Sequence, residues 1–85
     1  MGQREVINHL KLNPNNWVSV DELSEVTGRN VSSTRHAVRV LVQAGEITRR
    51  YDRVDNPEKP GHKRIITWVK LSDSYLHYLA EEGML

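Results

Sequence analysis

The chain contains no cysteine and no phenylalanine, and only three prolines and five glycines among its 85 residues. Without cysteine there is no disulfide framework, no thiolate nucleophile and no cysteine-ligated zinc site. Long apolar runs are missing as well. No stretch approaches the roughly 18 residues of a membrane span, and the N-terminal MGQREV lacks the apolar segment of a secretory signal. No membrane partner is therefore expected, and the expected compartment is the cytoplasm, in association with the nucleoid. A chain of this length is expected to hold one small domain, without room for most enzyme architectures or for a separate ligand-sensing domain. What remains is ordinary for a folded chain: 38% hydrophobic and 27% charged residues, enough for one modest core.

Excess charge of one sign is also lacking, since the formal net charge is only +1. That total hides an asymmetry. Residues 29–64 carry nine basic side chains (Arg29, Arg35, Arg39, Arg49, Arg50, Arg53, Lys59, Lys63 and Arg64) against four acidic ones, a local net of +5. The rest of the chain carries three basic and seven acidic residues, a net of −4. A basic block within a neutral domain is the electrostatic footprint of a surface that meets phosphate, although charge also simply solvates the outside of a small fold.

The order of elements follows from periodicity and punctuation. Val6, Ile7 and Leu10 recur at helical spacing and are stopped by Asn13-Pro14-Asn15-Asn16. Trp17, Val18 and Val20 form a short apolar stub suited to strand pairing. Ser19-Val20-Asp21-Glu22 then has the form of a capping box, in which Ser19 accepts from the Glu22 amide while the Glu22 side chain reaches back. A second helix begins at Val20, faces inward with Val20, Leu23 and Val26 or Thr27, and ends at Gly28. Asn30 is an N-cap for a third helix over residues 31–44, closed by Gly45. On that helix Thr34, Ala37, Val38 and Leu41 share one face, and Ser32, Arg35, His36, Arg39 and Gln43 share the other. Beyond Gly45 the period changes to two. Ile47, Arg49 and Tyr51 alternate with Thr48, Arg50 and Asp52, and Ile65, Thr67, Val69 and Leu71 alternate with Ile66, Trp68 and Lys70. A hairpin with a long loop over residues 52–64 is predicted, followed by a last helix capped by Ser72 or Asp73 and ended by Gly83.

Within this order, HLKLNPNNWVSVDELSEVTGRNVSSTRHAVRVLVQAGEITRR resembles the winged helix-turn-helix superfamily, and the resemblance spans residues 3–71. It implies an α+β fold: a three-helix core with a β-hairpin wing over residues 1–71, plus a C-terminal helix over residues 72–85 that serves for packing or for dimerisation. VDELSEVTG resembles the first helix of the motif and NVSSTRHAVRVLVQAG its recognition helix. One position departs from the pattern. Arg29 stands where such turns usually carry a small apolar residue, so either Arg29 reaches outward to a phosphate or Val31 fills the gap between the helices.

The resemblance implies double-stranded DNA as partner, with residues 30–44 in the major groove and the wing, residues 49–64, on backbone or minor groove. The expected base contacts are Ser32, Ser33, Arg35, His36 and Arg39, because an arginine presents two parallel donors to guanine O6 and N7. The expected backbone or wing contacts are Arg29, Arg49, Arg50, Arg53, Lys59, Lys63 and Arg64. A homodimer through Tyr75, Leu76, Tyr78 and Leu79 is one use of the last helix; a lid on the domain's own core is the other. Two further functional classes fit the same features: a winged-helix module that docks on a protein partner in replication or transcription machinery, and an architectural binder indifferent to sequence. Catalysis, a metal and a cofactor are not expected, since His9, His36, His62 and His77 fall on four different elements.

Overall fold

The computed structural model describes residues 2–83, and the order of its elements is the predicted one. Helix α1 (Gly2–Leu12) buries Val6, Ile7 and Leu10. Strand β1 (Val18–Ser19) leads directly into α2 (Val20–Thr27), which buries Val20 and Leu23. At the C-terminal end of α2 the inward residue is Thr27, whose Oγ1 donates to the Leu23 carbonyl at 2.7 Å, while Val26 is 52% exposed. Gly28 then takes φ +70°, the left-handed conformation that ends the helix at little steric cost.

Helix α3 (Val31–Gln43) starts at Asn30, whose Oδ1 accepts from the Ser33 amide at 2.7 Å. Thr34, Ala37, Val38 and Leu41 are buried, as their spacing demands. Thr34 is the one polar side chain in the core among the described residues, and its hydroxyl is satisfied by the Asn30 carbonyl at 3.0 Å. The turn between α2 and α3 is held by the Ser24 hydroxyl, which donates to the Arg29 carbonyl at 2.5 Å.

Strands β2 (Ile47–Asp55) and β3 (Lys63–Leu71) pair antiparallel from Ile47↔Leu71 to Asp55↔Lys63, and β1 joins the other edge of β3 through Val18↔Val69. The sheet order is β1-β3-β2. The hairpin is longer than predicted: residues 52–55 and 63–64, at the two ends of the expected loop, continue the ladder through Arg53↔Ile65 and Val54↔Arg64 out to Asp55↔Lys63. Pairing with β3 overrides their weak local preference, and an exposed ribbon places no demand on their burial. The true loop is Asn56 to His62, where the Asn56 side chain accepts from the Glu58 amide at 3.0 Å and the Asn56 amide donates to the His62 carbonyl at 3.0 Å.

Helix α4 (Asp73–Glu81) is capped by the Ser72 hydroxyl, which accepts from the Tyr75 amide and donates to the Gly45 carbonyl at 2.7 Å. Two tasks on one side chain therefore fix α4 to the junction of α3 and β2. Leu79 is fully buried in the common core, and Tyr75 and Leu76 pack against that core. Of the residues expected to be available for dimerisation, only Tyr78 is largely outside, at 49% exposure.

One expectation about side-chain pairing is corrected, and one choice between alternatives is narrowed. The capping box at Ser19 is half formed: the hydroxyl accepts from the Glu22 amide at 3.1 Å, but the Glu22 carboxylate meets His9 Nε2 of α1 at 3.2 Å instead of reaching back. Packing of α1 on α2 brings a partner within reach that the local sequence does not contain. Arg29 does not reach out freely either. Its guanidinium grips the Glu5 carboxylate through Nε at 3.3 Å and Nη2 at 3.1 Å, while Val31, the other candidate for the space between the helices, packs half-buried against the core.

Candidate nucleic-acid interface

Amphipathicity of α3 builds the first half of the site. With Thr34, Ala37, Val38 and Leu41 drawn inward, Ser32, Ser33, Arg35, His36 and Arg39 are all exposed on the outer side, and the helix carries no acidic residue. The five expected base-contacting residues are thus accessible together. Ser32, Ser33 and His36 line a shallow groove with Arg29 and the first residues of α1.

The hairpin builds the second half, and it divides the wing residues by strand periodicity. Arg49, Tyr51 and Arg53 lie on the same face as buried Ile47, opposite Val69, Thr67 and Ile65 of β3. Closest to the core, this face bounds a groove of about 270 Å³ that α3 shares with the sheet, lined by Val20, Arg35, Val38, Arg39, Arg49, Tyr51, Ile65 and Thr67. Arg35 and Arg39 from the helix therefore open into the same groove as Arg49 from the strand. The Arg49 guanidinium lies 5.3 Å from the centre of the Tyr51 ring.

Arg50 and Arg64 occupy the opposite face of the hairpin, away from α3. Arg50 stacks on Trp17 at 4.6 Å and sits 3.7 Å from Asp52, and Lys70 approaches the same indole at 5.1 Å. Trp17 and Trp68, both half-buried, are thus wall residues of the outer face. At the end of the ribbon Lys63 pairs with Asp55, while Lys59 and His62 are exposed in the loop. Charge alone had grouped all seven backbone candidates, but the fold separates them. Arg29, Arg50 and Lys63 are engaged by Glu5, Asp52 and Asp55; Arg35, Arg39, Arg49, Arg53, Lys59 and Arg64 make no ion pair among the described residues.

The Glu5–Arg29 pair shifts both partners toward their charged forms. The hydrogen bond from Arg29, aided by its charge, holds the Glu5 carboxyl below the usual carboxylate range, and Glu5 raises the Arg29 guanidinium in turn. Tyr75, partly desolvated beside Glu46, is pushed up. No group of three or more histidine, aspartate or glutamate side chains is placed to hold a metal ion among the described residues. No described helix is long and apolar enough to cross a membrane.

Tyr51 and Ile65 escaped the sequence reading as site residues. They share a strand face with buried Ile47, Val69 and Leu71, yet they are 58% and 59% exposed because the core ends before it reaches them. The available signal was distance along the ladder: Tyr51 stands two same-face positions beyond Ile47, past the part of the sheet that α3 and α1 cover.

No family model and no curated protein matches the sequence. Solved structures do match its shape. A protein described as a possible transcriptional regulator from Methanosarcina mazei Go1 superposes with a TM-score of 0.71 at 17% identity, over 94% of this chain and 62% of that one. A cysteine-to-serine mutant of MarR from E. coli, in complex with operator DNA, superposes with a TM-score of 0.61 at 18% identity, over 93% of this chain and 49% of that one. The fold is a winged helix-turn-helix. In this winged-helix chain α2 and α3 form the helix-turn-helix and β2 and β3 the wing. The chain spans less than two thirds of either neighbour.

Proposed function

We propose that the protein is a sequence-specific DNA-binding regulator of transcription that acts in the nucleoid. One observation carries this reading: an α3 face without a single acidic residue presents Arg35 and Arg39 into a groove whose other wall is the basic hairpin. A merely solvated face would accept glutamate as readily as arginine. The neighbour bound to operator DNA supports the same reading. On the proposed reading, Ser32, Ser33, Arg35, His36 and Arg39 meet base edges in the major groove, and Arg49, Arg53, Lys59 and Arg64 meet phosphates. Arg29, Arg50 and Lys63 contribute less, because each already has a carboxylate partner. With about five phosphates neutralised per protomer, log K against log salt falls with a slope of about −4 to −5.

A single module of this size covers little DNA, so the proposal includes two copies on one site, meeting through the outward side of α4 around Tyr78. Selection of duplexes from a random pool, followed by competition binding, tests the reading. Arg35→Ala and Arg39→Ala are each expected to weaken the selected duplex by about 1–3 kcal/mol and to relax base preference. Arg64→Ala weakens every sequence alike. Equal affinity for all duplexes would leave only an architectural role, and binding to none of them would sink the reading. Sedimentation of the complex reads the stoichiometry directly.

A further inference from the structure

The groove between α3 and the wing has an apolar floor that DNA binding by charge does not require. Tyr51 and Ile65 share a face of the hairpin, each more than half exposed, with arginines on both sides: Arg35 and Arg39 from the helix, Arg49 and Arg53 from β2. None of these four arginines makes an ion pair among the described residues. Leu12 and Val26 are as exposed elsewhere on the surface, but only this apolar pair is set among four arginines without a carboxylate partner, a setting that suits a polyanion with apolar surface of its own. The occupant must therefore bring apolar surface and negative charge together at short spacing. A sugar-phosphate strand does this, with the C–H surface of deoxyribose between successive phosphates.

We infer that one DNA strand runs through this groove with its deoxyribose rings packed on Tyr51 and Ile65 and its phosphates held by Arg49 and Arg53, while Arg35 and Arg39 reach past it to the bases. This rests on the DNA-binding reading above and adds a role that it does not contain: Tyr51 and Ile65 bind by excluding water, independently of base sequence and of salt. The thymine methyl group is the other apolar surface that duplex DNA offers at a groove wall. The geometry favours the sugar, because the floor lies between a helix aimed at the groove and a ribbon aimed at the backbone, where the strand itself must pass.

The experiment measures affinity for a mixed-sequence DNA duplex of about two helical turns across a range of salt concentrations. It compares the wild type, the double variant Tyr51→Thr/Ile65→Thr, and Arg53→Ala. Threonine keeps the β-branched preference for strand, and thermal melting of each variant confirms the fold. The double variant is expected to bind about five- to twentyfold more weakly at every salt concentration with an unchanged slope, whereas Arg53→Ala reduces the slope by about one. A duplex in which deoxyuridine replaces thymidine should show the same loss. Unchanged affinity of the double variant, with the wild type binding normally, overturns this inference alone. A reduced slope overturns it too, since Tyr51 would then act by holding Arg49. Disappearance of the loss in the deoxyuridine duplex assigns the contact to the methyl group and not the sugar. Failure of the wild type to bind any duplex removes both this inference and the reading beneath it.

Discussion

At the scale of single residues, the fold sorts chemically identical side chains into different tasks. Arg29, Arg35 and Arg50 are equivalent in composition, yet Arg29 clamps Glu5, Arg50 covers Trp17, and Arg35 stands open beside the wing. The Glu5–Arg29 clamp joins α1 to the turn before α3, and its effect on stability depends on pH in a definite sense. Glu5 has a depressed pKa in the folded state, so its contribution is present above the carboxylate range and is lost as pH falls through the folded-state value. Thermal melts of Glu5→Gln and wild type should therefore differ at neutral pH, with the variant less stable, and converge in acid. Because both groups are well exposed, added salt should narrow the neutral-pH difference. A gap that persists unchanged in acid would contradict the clamp.

At the scale of elements, α3 depends on the chemistry of its first turn. The Asn30 side chain and the left-handed Gly28 define where the helix starts and how the preceding helix stops. Asn30→Ala removes an acceptor for the Ser33 amide and should cost about 1 kcal/mol in urea unfolding. Amide exchange should accelerate at Ser33, because that N–H loses its partner. Gly28→Ala should cost a similar amount, about 1 kcal/mol, for a different reason. A β-carbon at that position meets nothing within 4 Å, so the penalty is the left-handed backbone alone and no packing changes. Both substitutions lie at the end of α3 that carries Ser32 and Ser33, so the cap and the candidate base contacts share one structural origin. The wing follows the opposite logic. Few local signals hold Asp52, Arg53 and Val54 in a strand; the ladder with Ile66, Ile65 and Arg64 does so.

At the scale of the whole molecule, the projecting hairpin gives the domain extents of 48 × 23 × 21 Å. The core sits under α1, α2, α3 and the base of the sheet, and α4 closes it through Leu79. Leu79→Ala should destabilise by about 2–5 kcal/mol, measured by urea denaturation, since the lost methyl groups are fully buried. On the proposed function, the folded fraction of this variant should keep the duplex affinity of the wild type, because α3 and the wing stand apart from Leu79; a loss of affinity in the folded fraction would tie α4 to the proposed interface or to the pairing of two copies. Much of this architecture is legible without coordinates. The boundaries of α1, α2 and α3, the caps at Ser19, Asn30 and Ser72, the buried quartet on α3 and the exposed row through Arg35 and Arg39 follow from spacing and cap chemistry, which act within a few residues of chain. Tertiary packing settled the rest. Which cations are free, which face of the hairpin looks at α3, that Tyr51 and Ile65 lie beyond the core, and that Leu79 turns inward all depend on partners far along the chain, such as Glu5 for Arg29 at a separation of 24 residues. Local periodicity determines what a segment becomes, but only the packing of segments against one another determines what each exposed side chain has beside it.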